Sequence, residues 1–186
     1  MHYQKPVRET EIGEHWYALR VRSRNEQRVR LMLAAKEYEH FLPTQRKLSQ
    51  WSDRVKEVHL PLFPGYVFAR FALTRRTEVL GIGGVVQIVG SGPVPQPVEE
   101  QEIRAIQTSI DSGLPVQPWP YVFEAGQSVT VRHGALTGLK GTLIDVRKQS
   151  RLVIGITLLH RCVAVDIERD WVVPAQAAGS SMMTGV

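Results

Sequence analysis

Six histidines (His2, His15, His40, His59, His133 and His160) are the natural candidates for metal ligation or proton transfer. None stands in an HxH, HExxH or mixed Cys/His spacing, so no metal site is expected. The single cysteine, Cys162, excludes an internal disulfide. Beside Arg161 its thiol would be favoured as thiolate and could act as a nucleophile, but it alternates within a predicted strand, which favours a small packed side chain. The carboxylates Glu99 and Glu100 open a predicted helix, where the helix dipole accounts for them without acid–base chemistry. Gly81-Ile82-Gly83-Gly84 reads as a turn before a strand rather than a phosphate cradle. There is no serine nucleophile elbow, no P-loop and no strand followed by GxGxxG. The expectation is a non-enzymatic protein without cofactor or metal.

Two surfaces carry more information. In Leu62-Phe63-Pro64-Gly65-Tyr66-Val67-Phe68-Ala69-Arg70-Phe71, strand alternation sends Tyr66 and Phe68 to one face and Val67, Ala69 and Phe71 to the other. A half-buried strand is polar on one side; this one is apolar on both. Either it is a central strand covered on both faces, or one aromatic face waits for a partner, and periodicity does not separate the two. The second surface lies in Gly126 to Thr142, two strands joined by a glycine-rich turn that carries Arg132, His133 and Lys140. Such a turn suits nucleic acid, a protein partner or plain folding.

The elements that position these residues follow from periodicity. Trp16 to Arg22 alternates as a strand. Ser23-Arg24-Asn25-Glu26 has capping-box spacing, with Glu26 expected to reach back to the Ser23 N–H. A helix then runs to about Glu37, with Val29, Met32, Leu33 and Lys36 on one stripe. Residues 39–60 read as strand, long turn with a polar tip at 49–54, and strand. The Tyr66–Phe71 strand, a short helix near 74–80 and a Val85–Val89 strand follow. Pro97 to Ser112 is helical, with Ile103, Ile106 and Ile110 as its stripe and Gly113 as its stop. Pro115, Pro118 and Pro120 mark a semi-stiff linker. Beyond it come five short strands broken by Gly134, Gly138 and Gly141, a small barrel.

Composition agrees with two small domains. At 186 residues and 43% hydrophobic content the chain is neither disordered nor fibrous. No run of about twenty apolar residues and no signal-peptide core occur, so a soluble cytoplasmic protein is expected. The net charge of +5 is uneven. Residues 16–60 carry ten basic and five acidic side chains, residues 97–125 one and five, and residues 126–173 seven and four. Two basic segments around an acidic connector suit nucleic acid or an acidic protein, or an ordinary solvated surface. The organisation expected is a leader over 1–15, an α+β domain over 16–112, a linker over 113–125, a small five-stranded SH3-like β-barrel over 126–174 and a disordered tail over 175–186.

Four segments in this order resemble the NusG family of transcription factors: Trp16-Tyr17-Ala18-Leu19-Arg20-Val21, Phe63-Pro64-Gly65-Tyr66-Val67-Phe68, Gly84-Val85-Val86-Gln87-Ile88-Val89-Gly90, and Gly126 to Val146, which is similar to the KOW motif. The resemblance implies an N-terminal domain that binds the clamp helices of RNA polymerase and suppresses pausing, with Phe63, Tyr66 and Phe68 in the positions of its apolar pocket. It further implies that Arg22, Arg24 and Lys36 lie where specialised members contact the non-template DNA strand. On the KOW barrel, Arg132, His133, Lys140, Leu159 and Arg161 would form the partner surface, a docking place for a small-subunit ribosomal protein or for the termination factor Rho. Leu159-His160-Arg161 stands where housekeeping members have an aromatic followed by Gly-Arg, a departure that counts against both partnerships.

Ser49 to Arg54 and Leu158 to Ile167 are similar to UpxY-type paralogues, which implies an operon-specific antiterminator; a monomer is expected. Two other readings stand beside it. One is the general housekeeping factor. The other is a ribosome-associated or RNA-binding protein working through the barrel alone, in which the Phe63–Phe68 strand has no part.

Overall fold

A computed structural model describes residues 13–50, 55–119, 126–146 and 149–175. The expected leader therefore lies outside the described residues over 1–12, as do the polar tip over 51–54, the end of the linker over 120–125 and the tail over 176–186.

The N-terminal half contains β1 (His15–Val21), α1 (Glu26–Ala35), β2 (Glu39–Phe41), β3 (Thr44–Gln50), β4 (Val55–Pro61), β5 (Tyr66–Phe71), α2 (Arg76–Leu80) and β6 (Val85–Ile88), followed by β7 (Gly90–Ser91), β8 (Val94–Pro95) and α3 (Glu100–Asp111). Strands β2, β5, β1 and β6 form an antiparallel sheet in that order. The strand expected near Phe41 is short, and a second one, β3, pairs with β4 as a separate ribbon. β3 escapes periodicity because Thr44-Gln45-Arg46-Lys47 is polar and its ladder is not part of the main sheet.

The capping box does not form. α1 starts at Glu26, with Asn25 rather than Ser23 at its N-cap and no side-chain cap. The Glu26 carboxylate instead accepts the Gly65 N–H at 2.9 Å, reaching across the fold to the turn before β5. The chain turns into the helix through Arg24, at φ 62°. Gly84 confirms the turn reading of the glycine cluster. Its φ is 109°, and a Cβ there would meet Val29 at 3.0 Å, so glycine lets β6 start close against α1.

The C-terminal half contains β9 (Val116–Trp119), β10 (Gln127–Val131), β11 (Lys140–Val146), β12 (Gln149–Ile156), β13 (Arg161–Ile167) and β14 (Val172–Pro174). They form one sheet in the order β14-β10-β11-β12-β13-β9. Five of these strands are the expected barrel strands; the sixth, β9, comes from residues read as linker. Pro118 is admissible there because β9 is an edge strand, paired on one side only with β13.

Sheet alternation divides the N-terminal half into two apolar cores. Tyr17, Leu19, Val21, Val67, Ala69 and Phe71 pack with Val29 and Leu33 of α1 and Val79 of α2. Trp16, Ala18, Phe63 and Phe68 face the other way. They belong to a cluster that continues through Ile103 and Ile106 of α3 into Val129, Leu152, Ile154, Val163 and Val165 of the barrel. Both faces of β5 are therefore covered, the second by a core shared between the two halves. No helix among the described residues is long and apolar enough to cross a membrane.

Candidate functional site: an aromatic face beneath the barrel

The aromatic segment is built on a rigid turn. Pro64 sets its φ, Gly65 takes φ 84°, and the Tyr66 N–H donates to the Phe63 carbonyl at 3.1 Å, the pattern of a type II turn. The turn is fastened on both sides: Gly65 donates to Glu26, and its carbonyl accepts the Val21 N–H at 2.8 Å. Phe63 then lies edge-on to Phe68, with ring centroids 5.8 Å apart, and Phe41 lies 6.3 Å from Phe68 on the other side.

Phe63, Tyr66 and Phe68 are thus brought together, but only Tyr66 is half-exposed. Phe63 is 1% and Phe68 0% exposed. Burial on this face comes partly from the C-terminal half. The Arg161 guanidinium sits 5.4 Å from the Tyr66 ring centroid, a cation–π contact between the halves. Glu102 of α3 accepts both the N–H (3.0 Å) and the hydroxyl of Thr157, in the tight turn between β12 and β13. Leu158 and Leu159 of the same turn pack against the shared cluster. His160 closes the turn in the left-handed region at φ 49°.

The five barrel residues consequently part company. Leu159 and Arg161 belong to a turn that faces the N-terminal half, whereas Arg132, His133 and Lys140 are exposed around the β10–β11 connection. The contact with Tyr66 was not legible in the sequence, because it joins residues 95 positions apart through no shared motif. The same holds for Glu102, which reads as one more acidic residue in a helix first turn.

The basic residues also separate. Arg22 and Arg24 are exposed at the entry to α1. Lys36 lies past its far end, roughly 15 Å away along a ten-residue helix, and is paired with Glu78 at 3.4 Å. The Glu78 carboxyl is held below its usual range by the Tyr38 hydroxyl and by Arg75 and Lys36. Burial and the neighbouring Glu78 push the Tyr38 phenol up to about 12. Lys36 thus lies apart from Arg22 and Arg24 and has a carboxylate partner. Arg24 and Arg30 line an open cleft of about 690 Å³ between α1 and the β3–β4 ribbon, with Ser23, Glu26, Gln27, Thr44 and His59. Among the described residues no carboxylate lies in ion-pair range of Arg22, Arg24, Arg28 or Arg30, whereas Arg70, Arg75, Arg104, Arg151 and Arg169 each have one. Cys162 is buried, with its thiol 3.4 Å from the Trp119 carbonyl oxygen.

Comparison with known proteins bears on this arrangement. Residues 14–107 match the family model described as transcription termination factor nusG. The chain belongs to the NusG family. Among NusG relatives, the transcription termination/antitermination protein NusG of Chlamydia pneumoniae is 27% identical over 176 residues, covering 88% of this chain and 96% of that protein. Its counterpart from Thermus thermophilus is 27% identical over 180 residues, covering 86% and 98%. A solved structure describing domain interaction in Thermotoga maritima NusG aligns over 89% of this chain and 99% of its own at a TM-score of 0.51 and 19% identity. That likeness supports the NusG-type fold, an α+β N-terminal part followed by a β-rich C-terminal sheet.

Proposed function

We propose that this chain is an elongation and antitermination factor that binds the clamp helices of RNA polymerase through Phe63, Tyr66 and Phe68, and that it works on selected operons. Membership of a family of transcription termination/antitermination proteins supports the general role. The observation that carries the finer reading is the aromatic face itself. It is built on a pinned turn, continuous and apolar, and suits helices that bury apolar side chains in it. Part of its cover comes from the barrel, a module of separate sequence, through Arg161 on Tyr66, so that part becomes available when the barrel moves away. A factor whose binding face is masked at rest engages when a signal favours the open state, which suits action at selected sites.

The unneutralised arginines are the place for such a signal. Arg22, Arg24, Arg28 and Arg30 contact the phosphates of the exposed non-template strand, and Lys36 does not take part. Replacing Arg24 and Arg30 by Ala lowers the salt slope of single-stranded DNA binding by about 1.4, while Lys36→Ala leaves it unchanged. Equal slopes for all three proteins would remove DNA from the proposal.

Gel filtration with core RNA polymerase tests the main claim. The expected result is co-elution that a housekeeping NusG displaces, and its loss in Tyr66→Ala plus Phe68→Ala with the far-ultraviolet circular dichroism retained. Undiminished co-elution of a folded double variant would move the interface elsewhere.

A further inference from the structure

The aromatic face ends in a polar row. Strand pairing places Tyr66 of β5 directly across from Arg20 of β1, and Arg20 directly across from Gln87 of β6. Opposed residues of antiparallel strands point to the same side, with Cβ atoms about 5 Å apart. This row lies on the side of the sheet that holds Trp16, Ala18 and Phe68, because alternation sends Leu19, Val67 and Ile88 to the opposite core. The neighbouring row pairs Ala18 with Phe68, both buried. Arg20 and Gln87 are exposed, and Tyr66 is half-exposed. Over two residues of strand, about 7 Å, the face thus passes from apolar side chains to a guanidinium and an amide.

Arg20 differs from the other cations on this side. Arg70, two rows beyond Tyr66 on β5, is paired with Glu39 at 3.4 Å. Arg104 of α3 is paired with Glu100. Arg161 reaches the Tyr66 ring from the C-terminal half. Arg22 and Arg24 lie past the end of β1, at the entry to α1. Among the described residues no carboxylate is in ion-pair range of Arg20. It is the one such cation that the four-stranded sheet itself carries on this side.

An unpaired guanidinium at the border of an apolar face restricts what can bind there. Covering it with an apolar side chain removes its hydration and returns nothing. A carboxylate on the partner instead accepts two parallel N–H bonds from it. The Gln87 amide offers the same carboxylate a further donor. The spacing suits a helix. Residues i and i+4 of a helix are about 6 Å apart along its axis, close to the distance between the two rows. A helix aligned with the strands can set an apolar side chain at the aromatic rings and a carboxylate one turn away at Arg20.

We propose that Arg20, with Gln87 beside it, determines the specificity of the aromatic face: it selects a helix that carries a carboxylate one turn from its apolar anchor. This rests on the polymerase-binding reading above, in which that helix is one of the clamp helices.

The test measures association and dissociation rates of the full chain with core RNA polymerase. Arg20→Leu removes the charge and enlarges the apolar face. Gln87→Glu keeps the side-chain shape and sets a carboxylate of the chain's own opposite Arg20. Both positions are exposed, so neither change opens a cavity in a core. Each is expected to raise the dissociation rate at least about tenfold, with the association rate changed by less than about threefold. General charge steering acts on association instead. So does a shift in barrel docking, which alters the fraction of chains competent to bind. Arg20→Glu is expected to lose binding, and to regain it when one acidic clamp-helix residue of the polymerase is replaced by Lys.

Unchanged dissociation of Arg20→Leu and Gln87→Glu would overturn the selection, and so would an effect confined to association. Failure of every clamp-helix Lys variant to restore Arg20→Glu, with its circular dichroism intact, would also overturn it. Tight binding by the unaltered chain that is indifferent to Arg20 removes this inference alone. No binding by the unaltered chain removes the polymerase reading and this inference together.

Discussion

On one face of the four-stranded sheet, Tyr17, Leu19, Val67 and Phe71 lie beneath α1 and α2; on the other, Trp16, Ala18 and Phe68 lie beneath α3 and the barrel. The first cover is made of helices threaded between the strands they protect, so it cannot leave without unfolding the sheet. Phe71 there contacts Tyr17 at 4.8 Å and Tyr38 at 6.2 Å, aromatics of the same domain. The second cover includes a module that follows the sheet in sequence and touches it partly through exchangeable contacts, Arg161 on Tyr66 and Thr157 on Glu102. Equal burial of Phe71 and Phe68 therefore conceals two kinds of stability. One rests on the N-terminal half alone, and the other partly on contacts with the C-terminal half, which the proposed function makes reversible.

Substitutions on the two faces should separate these kinds. The largest effect is expected at the sealed face: Phe71→Ala destabilises the N-terminal half by ~3–5 kcal/mol, the cost of a buried aromatic cavity. Urea unfolding followed by circular dichroism measures it, and a loss below ~1 kcal/mol would mean that this face is as adaptable as the other. An intermediate effect is expected at Glu102→Ala, which leaves Thr157 without its acceptor and weakens docking by ~1 kcal/mol. It should raise the two-body fraction in NMR relaxation without lowering the melting temperature of the N-terminal half. A fall in that melting temperature would make Glu102 part of the fold rather than of the docking. The smallest effect is expected at Arg161→Ala, which removes a cation–π contact worth about 0.5–1 kcal/mol. It should add to Glu102→Ala in a double-variant cycle; strong coupling between the two would show that the turn docks as one unit.

The type II turn at Phe63–Tyr66 shows how local chemistry can be read directly: proline fixes one dihedral, glycine permits the next, and no distant residue is needed. The alternation of β1 and β5, the stripe of α3 and the five barrel strands are legible for the same reason, since each is a periodicity of neighbouring residues. Glu26 shows where that reading stops. Its spacing from Ser23 satisfies the capping-box rule, but the Gly65 N–H, 39 positions away, offers a better-placed donor and takes the carboxylate. Lys36 is similar: in the sequence it is a basic residue like Arg24, and only the packing of α2 beside it supplies Glu78 as its partner.

The sequence by itself determined the two-module organisation, the family and the residues of the aromatic face, because these rest on short-range patterns. Tertiary structure alone decided whether that face is free or covered. The C-terminal residues that meet it, Leu159 in the shared core and Arg161 on Tyr66, carry no periodic signal toward it. Their role arises from contacts between residues far apart in the chain, as Arg161 with Tyr66, which no short-range pattern encodes.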